Sequence, residues 1–270
     1  MLKIDNIYKT FNRETVNEVK ALQGVSLHIA KGSFTVVVGT NGSGKSTLLN
    51  AIAGSFYIDS GKIFHNGKNI TKLPEHKRAK QIGMVFQNPF TGTAPDMSIA
   101  ENISLASKRG KHRGFGWALK QKNLDEFKNK LKSLNMGLEE RLNNPIGKLS
   151  GGQRQALTLL MSTWVKPQLL LLDEHTAALD PKTAIKIIKL TEEIIRKDKL
   201  TTLMVTHSMQ QAVNMGNRII MMHNGKIVFD FDENEKKHLK VSDLLSLFDE
   251  IRRKEQIDKS VAEMLERNYV

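Results

Sequence analysis

Residues Phe34 to Val38 form a short β-branched run that leads into Gly39-Thr40-Asn41-Gly42-Ser43-Gly44-Lys45-Ser46-Thr47, after which Leu48 to Ala53 has the texture of a helix. A strand, a glycine-rich turn and a helix start at this spacing are what a phosphate-binding loop requires. Gly39 and Gly44 let the backbone curl without Cβ clashes, so that successive N–H groups and the helix N-terminus face β- and γ-phosphates. Lys45 supplies a positive charge, and the Ser46 hydroxyl suits the shell of a Mg²⁺ ion. An ordinary surface turn leaves the three glycines and the Lys-Ser pair at the junction unexplained.

The remaining chain reads as alternating strands and helices around this loop. Leu2, Ile4 and Ile7 alternate toward Phe11, and Val25, Leu27 and Ile29 share one face of a second strand region over 19–29. Phe11 offers a flat apolar face for an adenine ring, with Tyr8 the nearby alternative and a plain core or edge aromatic the competing reading. Asn66-Gly67 and Asn224-Gly225 each mark a hairpin turn. Pro74 to Lys80 opens a short helix. Ile82 to Phe86 is a strand that delivers Gln87, a residue able to reach Mg²⁺ or a water, or simply to sit in a loop.

From residue 88 the texture changes. A turn-rich stretch, Asn88 to Pro95, precedes a helical pattern at Ile99–Leu105. Lys108 to Lys122 is basic and carries Phe115 and Trp117, which suits partner contact, lipid headgroup contact or plain exposed surface. Leu124, Phe127, Leu131 and Leu134 then fall on one face of an amphipathic helix. Ser150 caps the next helix, and Gly151 and Gly152 expose N–H groups at its start, a second anion site reaching to Gln153.

Four leucines, 169–172, close on Asp173 and Glu174. Such a run suits a parallel strand covered on both faces, with the acids emerging at its C-terminal edge. Asp173 is placed to orient a Mg²⁺ shell and Glu174 to polarise an attacking water. Asp180 caps a helix that starts at Pro181, with Ala184, Ile188, Thr191 and Ile195 as its expected buried stripe. The next strand, 200–206, brings His207 to the same rim as Asp173 and Glu174. After Val241, Leu244, Phe248 and Ile251 are in helical phase, and Ile257, Val261 and Met264 or Leu265 resume an apolar face.

Composition narrows the setting. A chain of 270 residues buries a sizeable core in one or two domains. It contains no cysteine, so disulfides and thiolate metal sites are excluded. No apolar run approaches the roughly 20 residues needed to span a bilayer, and the start does not resemble a signal peptide. The formal charge of +13 fits nucleic acid, an anionic membrane face or generic solubility.

Taken in order, these pieces resemble the nucleotide-binding subunit of ABC transporters. The resemblance identifies Gly39–Thr47 as Walker A, Gln87 as the Q-loop residue, Leu149–Gln153 as the signature, Leu169–Glu174 as Walker B, Ala178–Asp180 as the D-loop and His207 as the switch histidine. Phe11 takes the usual adenine-stacking position. The implied fold class is α/β, a P-loop NTPase core with a mixed central sheet, an N-terminal antiparallel β subdomain and a helical insertion. The implied ATPase domain covers 1–248, with a RecA-like core at about 1–90 and 154–241 and a helical subdomain at about 91–153; residues 249–270 form a helical extension.

The resemblance also implies an ATP- and Mg²⁺-dependent ATPase that works as a head-to-tail pair. ATP then lies between Walker A of one copy and the signature of the other, with Asp180 nearby. Expected catalytic residues are Glu174, His207, Lys45 and Gln87, and expected metal ligands are Ser46, Gln87 and Asp173. The expected partners are an integral membrane permease and, indirectly, a solute-binding lipoprotein, at the cytoplasmic face of the membrane and without nucleic acid.

The stretches Phe86–Pro95, Gln155–Met161 and Leu172–Asp180 resemble a bacterial importer branch paired with a branched-chain-type permease, some members of which are assigned to tryptophan or tyrosine. An aromatic amino acid is therefore the expected solute. An exporter with the same ATP site is the alternative. A soluble ATPase acting on nucleic acid or ribosomes is disfavoured by the single cassette and the short segment between Gln87 and Ser150.

Overall fold

The computed structural model describes residues 1–111 and 119–253. In chain order the elements are β1 Leu2–Phe11, β2 Val19–Ile29, β3 Phe34–Gly39, α1 Lys45–Ala53, β4 Ser60–His65, β5 Lys68–Asn69, α2 Glu75–Arg78, β6 Ile82–Val85, α3 Ile99–Ser107 and α4 Gln121–Lys132. After a 3₁₀ turn at Ile146–Lys148 come α5 Gly151–Trp164, β7 Leu169–Asp173, α6 Pro181–Asp198, β8 Thr201–Val205, α7 Met209–Asn214, β9 Arg218–His223, β10 Lys226–Phe231 and α8 Glu233–Lys236. A last helix, α9, runs over 241–253.

Two sheets result. β2-β1-β4-β5 is antiparallel, and β10-β9-β3-β8-β7-β6 is parallel except for β10, which pairs antiparallel to β9. The strands β3, β7 and β8 are almost wholly buried, so their β-branched and leucine runs pack on both faces. One core cluster lies between α1, the antiparallel sheet and one face of the large sheet; a second covers the opposite face with α9, through Leu244 and Phe248. A third joins α3 and α4 to α5 through Ile99, Ile103, Phe127, Leu131 and Leu157. It is the helical insertion, laid against α5.

Local chemistry explains the boundaries. Asn66 and Gly67 (φ 49° and 77°) and Asn224 and Gly225 (46° and 73°) take the left-handed conformations that a tight hairpin needs. Ser98 and Glu101 form a reciprocal capping box for α3. One expectation shifts. The buried line of α6 is Ile187, Thr191 and Ile195, whereas Ala184 and Ile188 are only half-buried. Thr191 and Ile195 are covered as expected; the helix is wedged between α5 and the sheet cluster, so in its first half Ile187 is covered in place of Ile188. Among the described residues no helix is long and apolar enough to cross a membrane. Phe115, Trp117 and the tail positions Ile257, Val261, Met264 and Leu265 lie outside the described residues.

Candidate active site

The turn at 39–44 holds its shape because a side chain fits at neither end. Gly44 caps α1 at φ 94°, and a Cβ there would stand 2.4 Å from the Ala21 carbonyl oxygen. At Gly39 a Cβ would meet the Met222 carbonyl at 2.4 Å. The β9–β10 turn backs the loop from outside: Gly225 N donates to Ser43 O at 3.1 Å and Gln23 N donates to Gly225 O at 2.8 Å. Residues Ala21 and Gly225 therefore shape the loop from distant parts of the chain. Asn41 and Gly42 face solvent, while Ser46 and Thr47 are half-buried at the start of α1.

Lys45 is buried, and its ammonium donates to Gly39 O and Thr40 O, both at 2.9 Å. Burial pulls its pKa below the ordinary lysine value, opposed by Glu174 and Asp173. The Ser46 hydroxyl donates to Asp173 Oδ1 at 2.9 Å, which ties the turn to the end of β7. Burial raises the Asp173 pKa, and the Ser46 bond and Lys45 counter it.

Glu174 follows directly, at φ 41°, a left-handed conformation unusual for a side chain of this size. Its N–H donates to Val205 O at 3.0 Å and its carbonyl accepts from Ala177 N at 2.9 Å. These bonds hold the turn that aims the carboxylate at the sheet rim. There Glu174 Oε2 accepts from Gln87 Nε2 and from His207 Nδ1, each at 3.2 Å. Side chains from the ends of β6, β7 and β8 meet on one oxygen.

Phe11 packs edge-to-face on Phe56, with ring centroids 5.3 Å apart, and the Lys9 ammonium lies 5.3 Å from its ring. Asp59 fixes this corner by accepting from Thr10 N at 2.6 Å and from Lys9 at 3.1 Å. Sequence patterning gave no sign of that anchor, because its partners lie some 50 residues apart.

Ser150 and Gln153 form a capping box at the start of α5, and Ser150 and Gly151 face solvent. Gly152 does not. It is buried against α6, where a Cβ would come within 2.2 Å of Thr183 Cγ2. Asp180 is exposed and accepts from Thr183 N at 3.0 Å, capping α6. The segment around Ser150 and Gly151 and the turn at Asp180 are thus neighbours on one surface.

The donor set fits the groups that a phosphate loop implies. Ser46 and Asp173 pair two hard oxygen donors beside a buried cation, which suits Mg²⁺ with a polyphosphate. The arrangement also sets a carboxylate, steered by two hydrogen-bond donors, next to that pair.

A family profile described as ABC transporter matches residues 22–177, more than half of the chain. The chain is 42% identical over 249 residues to a tyrosine transport ATP-binding protein of Clostridioides difficile, covering 92% of this chain and 99% of that one. It is 33% identical to a methionine import ATP-binding protein of Streptococcus agalactiae, over 84% of this chain but only 63% of the relative's length. Among solved structures, an ATP-binding cassette in a dimeric post-hydrolysis state with ADP and Pi superposes with a TM-score of 0.75 at 30% identity. That match covers 86% of this chain and 99% of the other.

Proposed function

The chain belongs to the ABC transporter family as an ATP-binding and ATP-hydrolysing subunit, and from this premise we propose that it powers uptake of an amino acid, an aromatic one, through a membrane permease. The observation that supports the solute class is the tyrosine transport relative, which is matched over 99% of its length.

In this reading Lys45 leaves the carbonyls of Gly39 and Thr40 for the β- and γ-phosphates, since an anion outcompetes neutral acceptors for a buried ammonium. Ser46 and Asp173, with Gln87, would hold Mg²⁺, which when bound would supply charge neutralisation at the transferring phosphoryl group. Glu174 orients and polarises the attacking water, and His207 steadies that carboxylate and the phosphoryl oxygens. Phe11 stacks on the adenine.

A second copy supplies the segment Ser150, Gly151, Gly152 and Gln153 across the nucleotide, led by the solvent-facing Ser150 and Gly151, with Asp180 beside them. The dimeric state of the solved relative supports the pairing of two copies, which this reading places head to tail. Closure then excludes water and completes the site; loss of the γ-phosphate reopens it.

The permease finds a receptive surface next to Gln87. A groove of about 890 Å³ opens between α2, β6 and α3, with Met84, Phe86, Leu105 and Met161 on its walls and Lys80 and Lys111 at its rim. An amphipathic permease segment fits such a groove. The chain then sits at the cytoplasmic face of the membrane, and a solute-binding lipoprotein delivers cargo from the other side.

Purification of the chain with its permease, followed by uptake into proteoliposomes, tests the reading. Receptor-dependent, ATP-driven accumulation of tyrosine or tryptophan in preference to methionine or xylose is expected. Receptor-independent efflux would replace import with export.

A further inference from the structure

The two side chains assigned to the water and its support are delivered by different segments. Glu174 follows β7 and His207 follows β8. Their direct contact is a single bond at the surface, with His207 57% exposed. The backbone bond from Glu174 N to Val205 O, at 3.0 Å, holds the strand ends together, but the side-chain contact, open to solvent on the histidine side, is too weak to fix the course of the two loops beyond it. Below it lies a second, sheltered connection.

Gln211 sits in α7, with its backbone fixed at both ends. Its N–H donates to Ser208 Oγ at 3.3 Å, and its carbonyl accepts from Met215 N at 2.8 Å. Its side-chain amide spans the two segments. Nε2 donates to Thr176 Oγ1 at 3.2 Å, two residues beyond Glu174. Oε1 accepts from Thr206 Oγ1 at 2.8 Å, one residue before His207. The Thr206 oxygen in turn accepts from Ser208 N at 3.1 Å, one residue after His207. Thr176 and Thr206 are both buried.

In this orientation of the amide each bond has a defined direction. An amide nitrogen only donates and an amide oxygen only accepts, so the Thr206 proton is committed to Gln211. None of its members titrates, so the tie persists while Glu174 and His207 exchange protons or partners.

We propose that Gln211 is a positioning residue for ATP hydrolysis: its amide, bridging Thr176 and Thr206, sets the spacing between Glu174 and His207. The proposal rests on the reading of Glu174 as the water-orienting carboxylate. A small displacement of such a group weakens the chemical step while leaving nucleotide binding intact.

The test is steady-state ATPase of the full chain with Gln211→Met, Thr176→Val and Thr176→Ser, each also scored for ATP KM and thermal midpoint. Gln211→Met, which keeps length but removes the amide, is expected to lower kcat about tenfold with KM within about twofold. Thr176→Val should match it, the double variant should be no worse than either single one, and Thr176→Ser should restore turnover. In a Glu174→Gln background, Gln211→Met should cost nothing further.

Wild-type kcat in Gln211→Met, additive losses, or a parallel fall of kcat, binding and thermal midpoint would overturn the proposal alone. Undiminished turnover in Glu174→Gln would overturn the reading of Glu174 and this proposal with it.

Discussion

The Ser46 hydroxyl donates to Asp173 Oδ1 across 2.9 Å, joining residues 127 positions apart in the chain. This bond locks the start of α1 to the end of β7. It puts both oxygen donors expected for Mg²⁺ within reach of each other. Around it, Lys45, Glu174, Gln87 and His207 form a continuous polar rim.

Lys45 spends its donors on two loop carbonyls, so removing it leaves the fold of the turn to its glycines and weakens the nucleotide site. Lys45→Ala is expected to raise the ATP dissociation constant by about tenfold or more, the worth of a charge-assisted contact. Titration calorimetry reads it directly, and an unchanged constant would contradict the role.

Glu174→Gln keeps the shape of the carboxylate and its place opposite Gln87 and His207 but removes its basicity. ATP binding should persist while turnover falls by roughly 10²-fold or more. Turnover within a few-fold of wild type, in a coupled phosphate-release assay, would sink the assignment.

Gly152 faces Thr183, so Gly152→Ala must push α6 away from α5. Thr183 is β-branched and does not swing aside. The variant should lose about 1–3 kcal/mol in urea denaturation, and Thr183→Ser, which removes the offending methyl, should recover most of it. Equal losses with and without the serine would place the strain elsewhere.

His175 is buried next to Glu174, with Nε2 bonded to Thr191 Oγ1 at 3.0 Å. The Thr191 hydroxyl donates to Ile187 O at 2.7 Å, so the histidine N–H is the donor in the first bond. Burial lowers its pKa to about 4 from the ordinary 6.5. The unfolded chain takes up this proton first, so the contribution is complete above pH 6.5 and is lost as pH falls toward 4. The loss amounts to about 3 kcal/mol across that window. His175→Gln should therefore show a flatter stability profile than wild type between pH 7.5 and about 5. Parallel profiles would contradict a buried neutral imidazole.

The sequence made legible whatever local geometry dictates. Glycine at a left-handed turn, as in Asn66-Gly67 and Asn224-Gly225, has a cause within a few residues, and so do the caps at Ser150 and Asp180. The four leucines closing on Asp173 announced a strand covered on both sides. Contacts between distant segments left no such trace. Gln23 Nε2 reaches Asn224 O across 201 positions to support the phosphate loop, and nothing in either neighbourhood signals it. Gly151 and Gly152 mark a helix start by their own neighbourhood, but the close packing of Gly152 on Thr183 leaves no local sign, because Thr183 is 31 positions away and belongs to another helix. In α6 the expected Thr191 and Ile195 are buried, but Ile187 takes the place of Ile188 for the same reason: the helix packs against two clusters, and a single-stripe pattern describes only one.

The account turns on two copies of the chain enclosing ATP, each providing the solvent-facing Ser150 and Gly151 that complete the other's phosphate loop. The most direct measurement is the molar mass of Glu174→Gln, by size-exclusion chromatography with light scattering, with and without saturating Mg·ATP. A nucleotide-dependent dimer is predicted, abolished by adding Gly151→Asp, whose side chain has room within its own subunit but carries a negative charge to the trans phosphates. A mass that stays monomeric with saturating nucleotide, alone and with the permease present, would contradict it.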